Sequence, residues 1–463
     1  MSFKSIHFIG ICGTAMGAVA AALKDSGFQV SGSDESVYPP MSTFLEGKGI
    51  TIMAGYRPEN LAHKPDLIVV GNAISRGNEE LEAVLEQKLY YLSLPETLKQ
   101  FFLRGKHNLV VTGTHGKTTT TSMLAWIFEH AAKNPSYMIG GLPKNLPQGC
   151  TIREGSRHFI LEGDEYDTAF FDKRSKFLHY LPELLIINNI EFDHADIFDS
   201  LEAIKLSFRR LVNVVPRNGM IVYNEDDANA RDVVSQSLAP VTSVGCSPNA
   251  AIQIQNARYH ADRSEWSLKG LGDFSLPMIG EINIRNASMA IAAAHFYQIP
   301  IPVIQEALRR FEGVRRRQEI RGEVGGVTLI DDFGHHPTAM KQTFEALRHR
   351  FPKRRLLAIF EPRSNTTRRS VFQHDLPQAL AQADMVFMSQ VYQLEKIAPE
   401  FRLDPDRVIA DLHARKIPAY YESGVEAIVA QVQKQVAPGD VIVVFSNGGF
   451  GGIHQKLLTA LDR

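Results

Sequence analysis

The chain has 463 residues, of which 44% are hydrophobic and 22% are charged, and a chain of this length is expected to form about two to four domains. Its 50 Lys and Arg residues nearly balance 51 Asp and Glu residues, and the net charge of −1 excludes a generally basic surface for nucleic acid or an anionic membrane. Three scattered cysteines and the lack of an apolar run of about 18 residues predict a cytoplasmic protein without disulfides or a membrane span. None of these quantities sets an oligomeric state.

The first segment alternates short apolar runs with helix-forming runs. An apolar run over residues 6–9 leads into an Ala-rich helix that extends to about Lys24, and further apolar runs cover residues 28–30 and 66–70. Short strands that alternate with helices are typical of a parallel, doubly wound sheet. We therefore predict an α/β, Rossmann-like domain over residues 1–104.

The turn after the first strand is similar to a dinucleotide-binding fingerprint. Gly10, Gly13 and Gly17 form the pattern, and Asp34 follows the second predicted strand, where it would bind a ribose hydroxyl of NAD. However, Cys12 occupies the position at which a glycine would let the backbone approach a pyrophosphate. This departure disfavours NAD, and a tight strand–helix connection that binds nothing remains an alternative.

The most specific pattern opens the second segment. An apolar run over residues 108–111 is followed by Gly113, Thr114, His115, Gly116, Lys117, Thr118 and Thr119. Such a turn lets backbone N–H groups surround a phosphate, and the following helix presents the positive end of its dipole to the same anion. Lys117 can then reach the β- and γ-phosphates, while the Thr118 hydroxyl can bind Mg²⁺. The spacing is shorter than the common phosphate-loop consensus because position 111 is Val, so an ordinary helix start is the alternative.

Two acidic clusters each follow a predicted strand of the same segment. After the runs at residues 159–161 and 184–187, the clusters contain Glu162, Asp164, Glu165 and Asp167, then Glu191, Asp193 and His194. Ligands bind at the carboxyl ends of strands in open α/β sheets, so these side chains predict a Mg²⁺ site beside the phosphate loop. Solvated loop acids and a structural histidine are the alternatives. A β-rich stretch and an Ala-rich helix from Asn283 complete a predicted central domain over residues 105–313.

The last segment returns to the alternation of strands and helices. The basic run at residues 315–317 is a candidate anion site, and strands are predicted over residues 327–330, 356–360, 385–388 and 441–445. We predict a second Rossmann-like domain over residues 314–463.

Together these patterns resemble the Mur ligase family of peptidoglycan-precursor enzymes. GTHGKTT at residues 113–119 matches the family's short phosphate loop, NNIEFDH at 188–194 is similar to its TNIEADH-type segment, and residues 280–294 resemble its nucleotide-contacting helix start. The resemblance covers essentially the whole chain. It implies a UDP-binding, an ATP-binding and a C-terminal domain that close on their ligands.

The resemblance also implies roles for individual residues. Lys117, Glu162 and His194 would be catalytic, and Mg²⁺ would be held by Thr118, Glu162 and His194. ATP would contact the whole phosphate loop and also Asn283, Asn286, Arg317 and Asp331. The diphosphate of UDP-N-acetylmuramate would lie near Gly13, Thr14 and Ala15. The retention of the phosphate loop and the metal ligands disfavours a non-catalytic nucleotide-binding module, which is the alternative outside the enzymes.

Three C-terminal segments narrow the resemblance to one branch of the family. DDFGHHP at residues 331–337 is similar to members that act on UDP-N-acetylmuramate itself. EPRSNT at 361–366 and SNGGFGG at 446–452 resemble members that attach the murein tripeptide L-alanyl-γ-D-glutamyl-meso-diaminopimelate during peptidoglycan recycling. The implied peptide contacts are His335 and Arg363. Members that add L-alanine usually carry a PHRYTRT-like segment instead of EPRSNT, and ligation of L-alanine is the nearest alternative.

Overall fold

A computed structural model describes residues 3–462 of the chain. Within that range the strands form sheets of five, ten and six strands and a two-stranded hairpin. The three larger sheets follow one another along the chain and are flanked by helices, which confirms the predicted three-domain α/β architecture. Among the described residues, no helix is both long and apolar enough to cross a bilayer.

The N-terminal domain is a five-stranded parallel sheet. Its elements are β1 (Ser5–Ile9), α1 (Thr14–Asp25), β2 (Gln29–Asp34), α2 (Met41–Gly47), β3 (Thr51–Ala54), β4 (Leu67–Val70), α3 (Glu79–Glu86), β5 (Tyr91–Ser93) and α4 (Leu94–Leu98). The strand order is β3-β2-β1-β4-β5, and every pairing is parallel. The turn from β1 into α1 therefore lies where the strand order reverses, and this switch point is where ligands bind in such sheets.

The central domain is built on the ten-stranded sheet and contains the β10–β11 hairpin. Its elements are β6 (His107–Thr112), α5 (Lys117–His130), β7 (Ser136–Met138), β8 (Cys150–Thr151), β9 (His158–Glu162), β10 (Asp167–Ala169), β11 (Asp172–Ser175), β12 (Leu184–Ile187), α6 (Leu201–Val212), β13 (Met220–Asn224), α7 (Ala228–Val234), β14 (Val241–Gly245), β15 (Ile252–Tyr259), β16 (Ser264–Leu268), β17 (Gly272–Leu276), α8 (Glu281–Phe296) and α9 (Ile301–Arg309). The parallel strand β6 lies between β12 and β9. The phosphate loop and the two acidic clusters therefore leave neighbouring strands at one edge of the sheet.

The C-terminal domain has one antiparallel edge strand on an otherwise parallel sheet. Its elements are β18 (Glu319–Val324), β19 (Val327–Asp332), α10 (Pro337–Arg350), β20 (Leu356–Phe360), α11 (Asp375–Leu380), β21 (Met385–Ser389), α12 (Pro405–Ala414), β22 (Ala419–Glu422), α13 (Val425–Gln435), β23 (Val441–Phe445) and α14 (Ile453–Leu461). In the order β18-β19-β23-β20-β21-β22, Phe445 is in register with both Asp332 and Phe360. The DDFGHHP, SNGGFGG and EPRSNT segments therefore emerge side by side.

The domains meet through two different kinds of contact. One hydrophobic cluster continues from the N-terminal sheet, represented by Phe8, into the central domain at Phe177. The C-terminal sheet packs its two faces in separate clusters of its own. Side-chain hydrogen bonds link it to the central domain, including Thr338 to Glu191, Thr366 to Asp193 and Asn365 to Asp196, each at 2.7 Å. Such polar contacts are typical of domains that move relative to one another.

Candidate active site

The predicted phosphate loop forms a tight turn between β6 and α5. Gly113 and Gly116 have φ values of 127° and 79°, which residues with a Cβ adopt only under strain. A Cβ on Gly116 would also collide with Asn286 Oδ1. Because Lys117 opens α5 directly after the turn, the loop presents backbone N–H groups and a helix N-terminus to the same space.

The segment that follows β12 supports this turn. The Asn189 carbonyl accepts a hydrogen bond from the Thr114 N–H at 3.0 Å, and Asn189 Oδ1 accepts one from the His115 N–H at 2.8 Å. Asn188 Nδ2 donates to Thr120 Oγ1 at 3.1 Å. The two asparagines therefore hold the shape of the loop, a role that the sequence analysis did not identify.

Lys117 lies in a buried, charged triad with Glu165 and His194. Lys117 Nζ donates to Glu165 Oε2 and to the Gly113 carbonyl, both at 2.8 Å, and Glu165 Oε1 lies 3.0 Å from His194 Nε2. Burial alone would raise the pKa of Glu165, but the Lys117 charge and the hydrogen bond from His194 outweigh it and lower that pKa to about 2. Burial would lower the pKa of His194, yet its bond to Glu165 raises it. Glu165 thus balances the phosphate-loop lysine, and sequence reasoning had placed it only in an acidic cluster.

Thr118 and Glu162 form the second pair at this edge of the sheet. Thr118 Oγ1 donates to Glu162 Oε1 at 2.7 Å, and the Gly140 N–H donates to Glu162 Oε2 at 2.6 Å. Burial raises the pKa of Glu162, and the negative charge of Asp164 raises it further. A divalent cation would offset both effects, and hydroxyl and carboxylate oxygens are the ligands that Mg²⁺ prefers. The residues present therefore fit Mg²⁺.

A cavity of about 320 Å³ opens between the central and C-terminal domains over these residues. From the C-terminal side, Arg317 Nη2 reaches Thr118 Oγ1 at 3.3 Å. Asn283 and Asn286 of α8 line the same cavity. The structure thus brings together most of the residues predicted for ATP and Mg²⁺, namely Thr114, His115, Gly116, Lys117, Thr118, Thr119, Glu162, His194, Asn283, Asn286 and Arg317.

Two adjacent aspartates at the end of β19 face opposite sides of the sheet. Asp332 lines the cavity between the central and C-terminal domains. Asp331 instead lies 3.4 Å from Arg316 Nε and 3.3 Å from His454 Nε2. Successive side chains of a strand alternate between its faces. The family resemblance implied that Asp331 contacts the ATP ribose. In the structure, Asp332 and not Asp331 lines the cavity.

A second cavity, of about 490 Å³, lies between the N-terminal and central domains. Gly13, Thr14 and Ala15, for which a contact with the UDP-sugar is predicted, line its N-terminal side. The three residues that line both cavities are Gly140, Glu162 and Asp164. The two cavities therefore meet at the acidic cluster that follows β9.

Asp34 supports the N-terminal turn. Its Oδ2 accepts a hydrogen bond from the Cys12 N–H, and its Oδ1 accepts one from the Ser36 N–H, both at 2.9 Å. Both oxygens are thus engaged by backbone groups, and Asp34 is largely buried. Asp34 thus has a structural role in holding this turn, which accounts for an acid at this position without a ribose.

The two predicted peptide contacts lie in different surroundings. His335 lines the cavity between the central and C-terminal domains, and its Nε2 lies 3.8 Å from Asp193 Oδ2. Arg363 follows β20, and its guanidinium lies 4.0 Å from the centre of the Tyr392 ring. Gly448 packs so closely against Arg363 that a Cβ there would collide with the guanidinium. The structure therefore joins Arg363 to the SNGGFGG loop, while the cavity wall described above contains His335 and not Arg363.

Family comparisons match nearly the whole chain. Residues 5–106 match the domain described as Mur ligase family, catalytic domain. Residues 111–294 match the Mur ligase middle domain, and residues 316–448 match the Mur ligase, glutamate ligase domain. The three matches follow the order of the three large sheets.

Individual relatives are similar over their full length. The UDP-N-acetylmuramate–L-alanyl-γ-D-glutamyl-meso-2,6-diaminoheptandioate ligase of Escherichia coli strain K12 is 43% identical over 99% of this chain and 98% of its own. The UDP-N-acetylmuramate–L-alanine ligase of Desulforapulum autotrophicum is 31% identical over 98% of each chain. The crystal structure of a murein peptide ligase from Psychrobacter arcticus is 36% identical, covers 99% of both chains and has a TM-score of 0.71. This chain therefore belongs to the Mur ligase family.

Proposed function

We propose that this protein is a cytoplasmic, ATP- and Mg²⁺-dependent ligase of peptidoglycan recycling. It joins L-alanyl-γ-D-glutamyl-meso-diaminopimelate to the lactyl carboxylate of UDP-N-acetylmuramate. The full-length identity of 43% to a ligase named for this reaction supports the proposal, against 31% to an L-alanine ligase.

The main structural support for this proposal is that the two cavities share Gly140, Glu162 and Asp164. A UDP-sugar bound at Gly13–Ala15 would extend its acyl group toward these residues. ATP bound at the phosphate loop would direct its γ-phosphate to the same place. Bringing both reacting groups to one point removes much of the entropic part of the barrier.

The reaction requires an activated acyl group because a carboxylate has no good leaving group. In the first step a carboxylate oxygen attacks the γ-phosphorus, the bond from phosphorus to the ADP oxygen breaks, and an acyl phosphate forms. The peptide α-amine then attacks the acyl carbon. The tetrahedral intermediate expels phosphate by breaking the carbon–oxygen bond, and the nitrogen loses a proton. No nucleophile from the protein is required.

The residues of the phosphate loop would stabilise the charge that develops in the first step. Lys117 Nζ is held at 2.8 Å from Glu165, and in that position it can contact phosphate oxygens when ATP binds. Arg317 supplies a second cation from the C-terminal domain. Fixed cations in a water-poor site stabilise phosphoryl transfer strongly because they need little reorganisation.

Thr118, Glu162 and His194 would hold Mg²⁺ beside the loop. The hydroxyl and the carboxylate are already 2.7 Å apart, whereas His194 is bonded to Glu165. Bound Mg²⁺ would neutralise phosphate charge and so reduce the repulsion between ATP and the carboxylate. Asp164 belongs to the same acidic cluster and lines both cavities, so it is a further candidate ligand besides these three residues.

Selectivity for the tripeptide would reside in the EPRSNT and SNGGFGG segments. A tripeptide has several carboxylates, and Arg363 can bind one with two parallel hydrogen bonds. Its side chain is about one-third exposed, and Glu361 Oε1 lies 3.5 Å from Arg363 Nη1, a loose pairing that a substrate carboxylate could replace. Thr366 and Asn365 anchor the same segment to the central domain through Asp193 and Asp196.

ADP release in the presence of UDP-N-acetylmuramate and a panel of amines tests the proposal. We expect the tripeptide to be a far better amine than L-alanine. Arg363→Ala should raise the KM for the tripeptide by roughly 10- to 1000-fold, because a charged hydrogen bond is lost. The KM values for ATP and UDP-N-acetylmuramate should change little.

The matched control is Arg407→Ala, which removes an exposed arginine of α12 in the same domain. It should leave all three KM values unchanged. If L-alanine is the better amine in the wild type, the tripeptide assignment is wrong although the family assignment stands.

A further inference from the structure

Two histidines and a glutamate from three separate segments converge at the junction of the central and C-terminal domains. His115 belongs to the phosphate loop, Glu191 to the segment after β12, and His336 directly precedes α10. One nitrogen of each ring and one glutamate oxygen lie within 4.8 Å of one another. This three-residue junction is separate from the predicted Mg²⁺ ligands Thr118, Glu162 and His194.

The distances in the junction suit a small tetrahedral metal site. His115 Nε2 lies 3.4 Å and His336 Nδ1 lies 3.6 Å from Glu191 Oε2. Two ligands of a tetrahedral Zn²⁺ ion, at bond lengths of about 2.0–2.2 Å, are separated by about 3.3 Å. Both nitrogen–oxygen distances are within a few tenths of an ångström of that separation, and one nitrogen of each ring lies within 4.8 Å of the other.

His115 supplies an independent indication of a missing ligand. Its side chain is more than nine-tenths buried. Within residues 3–462, the buried Nε2 atom makes no hydrogen bond of regular geometry, and Glu191 Oε2 lies 3.4 Å from it. A buried polar atom without a partner is unfavourable and uncommon, and this one points toward Glu191 at the junction.

The surroundings prepare His336 and Glu191 as ligands. His336 Nε2 lies 3.3 Å from the Phe192 carbonyl, which can only accept a hydrogen bond, so this nitrogen carries the proton. Nδ1 therefore keeps its lone pair, and it accepts a weak bond from the Thr338 N–H at 3.2 Å that a metal ion would replace. The Thr338 hydroxyl donates to Glu191 Oε2 at 2.7 Å. Partners of this kind orient the ligands of metal sites.

We propose that His115, Glu191 and His336 form a binding site for a divalent transition metal, with Zn²⁺ as the best fit. Two imidazoles and one carboxylate are a typical ligand set for Zn²⁺ and leave a fourth position open. Two imidazoles favour Zn²⁺ over Mg²⁺, whereas the predicted Mg²⁺ set has one imidazole and is completed by hydroxyl and carboxylate oxygens, so the two sites favour different ions. The bound ion would tie the C-terminal domain to the phosphate loop.

The chain contains a second His–acid cluster that serves as a matched control. Glu96, Asp172 and His179 also lie within 4.8 Å of one another. However, Arg174 donates to both oxygens of Asp172 at 2.9 and 2.8 Å, and His179 Nε2 lies 2.9 Å from the same carboxylate. Its charges already have partners, and we expect no Zn²⁺ to bind there.

The site can be tested by letting the full chain compete with a chromophoric chelator for Zn²⁺. The solution contains excess Mg²⁺ and no nucleotide. The wild type should bind one equivalent at the junction. His336→Asn, which keeps a side chain able to cap α10, should weaken that binding by at least about 100-fold, and Glu191→Gln should do the same. Thr338→Val should weaken it by about 10-fold, because only a supporting hydrogen bond is lost. His179→Asn should leave it unchanged.

Two further measurements separate a metal site from a folding effect. Co²⁺ should give the visible absorption of a tetrahedral complex in the wild type and in His194→Asn, but not in His336→Asn or Glu191→Gln. Zn²⁺ should raise the Tm of the wild type, His179→Asn and His194→Asn but not that of His336→Asn or Glu191→Gln, since a ligand that binds only the folded protein stabilises it by mass action. Absence of binding in the wild type, its survival in both junction variants, or its loss in His194→Asn alone would each overturn the proposal.

Discussion

The two strand–glycine–helix turns of this protein are similar in sequence but are built for different tasks. The phosphate loop has Gly113 and Gly116 at positive φ and begins its helix with the buried Lys117 and Thr118. The N-terminal turn also has a glycine at positive φ, Gly10, but its helix follows Gly13 and begins with Thr14 and Ala15, so the start of that helix contains no charged side chain. The phosphate loop thus presents one cation, Lys117, and one hydroxyl, Thr118, which suit the phosphate and Mg²⁺ roles proposed for them. The N-terminal turn supplies small residues and backbone donors, which are suited to holding a diphosphate.

Removal of the Lys117 charge should have the largest effect on activity and tests the role of the phosphate loop most directly. Lys117→Met should lower kcat by about 1000-fold, as expected when a main stabilising group for transition-state charge is lost. Because Lys117 is buried against Glu165, the variant leaves a carboxylate without its main partner. The double variant Lys117→Met/Glu165→Gln controls for this effect. It should restore Tm toward the wild-type value without restoring turnover, and near-normal turnover in either variant would refute the phosphate-loop assignment.

The charged triad at the phosphate loop also predicts a pH dependence of stability. The pKa of Glu165 falls from an ordinary value of 4.5 to about 2 in the folded protein, which corresponds to about 3 kcal/mol. Because the folded pKa is lowered, this contribution is complete above pH 4.5 and is lost as the pH falls toward 2. His194 has the opposite sign, since its raised pKa means that its contribution is lost as the pH rises through that value.

Thermal unfolding of the wild type and Glu165→Gln between pH 3 and pH 7 measures this effect. The difference in Tm should be largest near neutral pH and should shrink below pH 4.5. Asp34→Asn is the comparison in the N-terminal turn, where backbone amides rather than a lysine hold the carboxylate. A constant difference for Glu165→Gln across this range would contradict the ion-pair account.

Glu162→Gln should change the Mg²⁺ requirement rather than the fold. The amide keeps the shape of the side chain but removes the charge that faces Thr118. We expect the Mg²⁺ concentration for half-maximal activity to rise by about 10- to 100-fold. Asp167→Asn is the matched control, because Asp167 belongs to the same stretch of sequence but pairs with Lys173 at 2.6 Å. Equal Mg²⁺ titrations for Glu162→Gln and the wild type would assign the metal to another acid.

The smallest expected effect belongs to the N-terminal turn. A Cβ on Gly13 would lie no closer than 3.7 Å to its protein neighbours, so Gly13→Ala should fold normally and crowd only a ligand. The KM for UDP-N-acetylmuramate should rise by about tenfold, or about 1.4 kcal/mol, with the KM for ATP unchanged. Calorimetry with the wild type should detect binding of UDP-N-acetylmuramate and no binding of NAD. Gly32→Ala is the contrasting variant, since its Cβ would collide with Ile11 and should lower Tm.

Short-range patterns were sufficient for much of this protein. The alternation of apolar runs and helices predicted three α/β domains, and the strand before Gly113 and the helix after it predicted the phosphate loop. The acidic clusters were expected near that loop because each follows a predicted strand, and the structure places them beside it because β9 and β12 pair with β6. Periodicity and glycine chemistry act within a few residues, so they can be recognised in one sequence. The match to the Mur ligase family confirms the fold that they indicated.

The sequence by itself therefore determined the domain plan, the phosphate loop and the chemical types of its ligands. Only the tertiary structure decided which of two adjacent aspartates, Asp331 or Asp332, lines the cavity beside the phosphate loop, because β19 is buried on both faces and its composition does not reveal its orientation. The same holds for Glu165 as the partner of Lys117 and for the junction of His115, Glu191 and His336. These contacts join residues between 48 and 221 positions apart in the chain, and packing between strands and domains, not local propensity, brings them together.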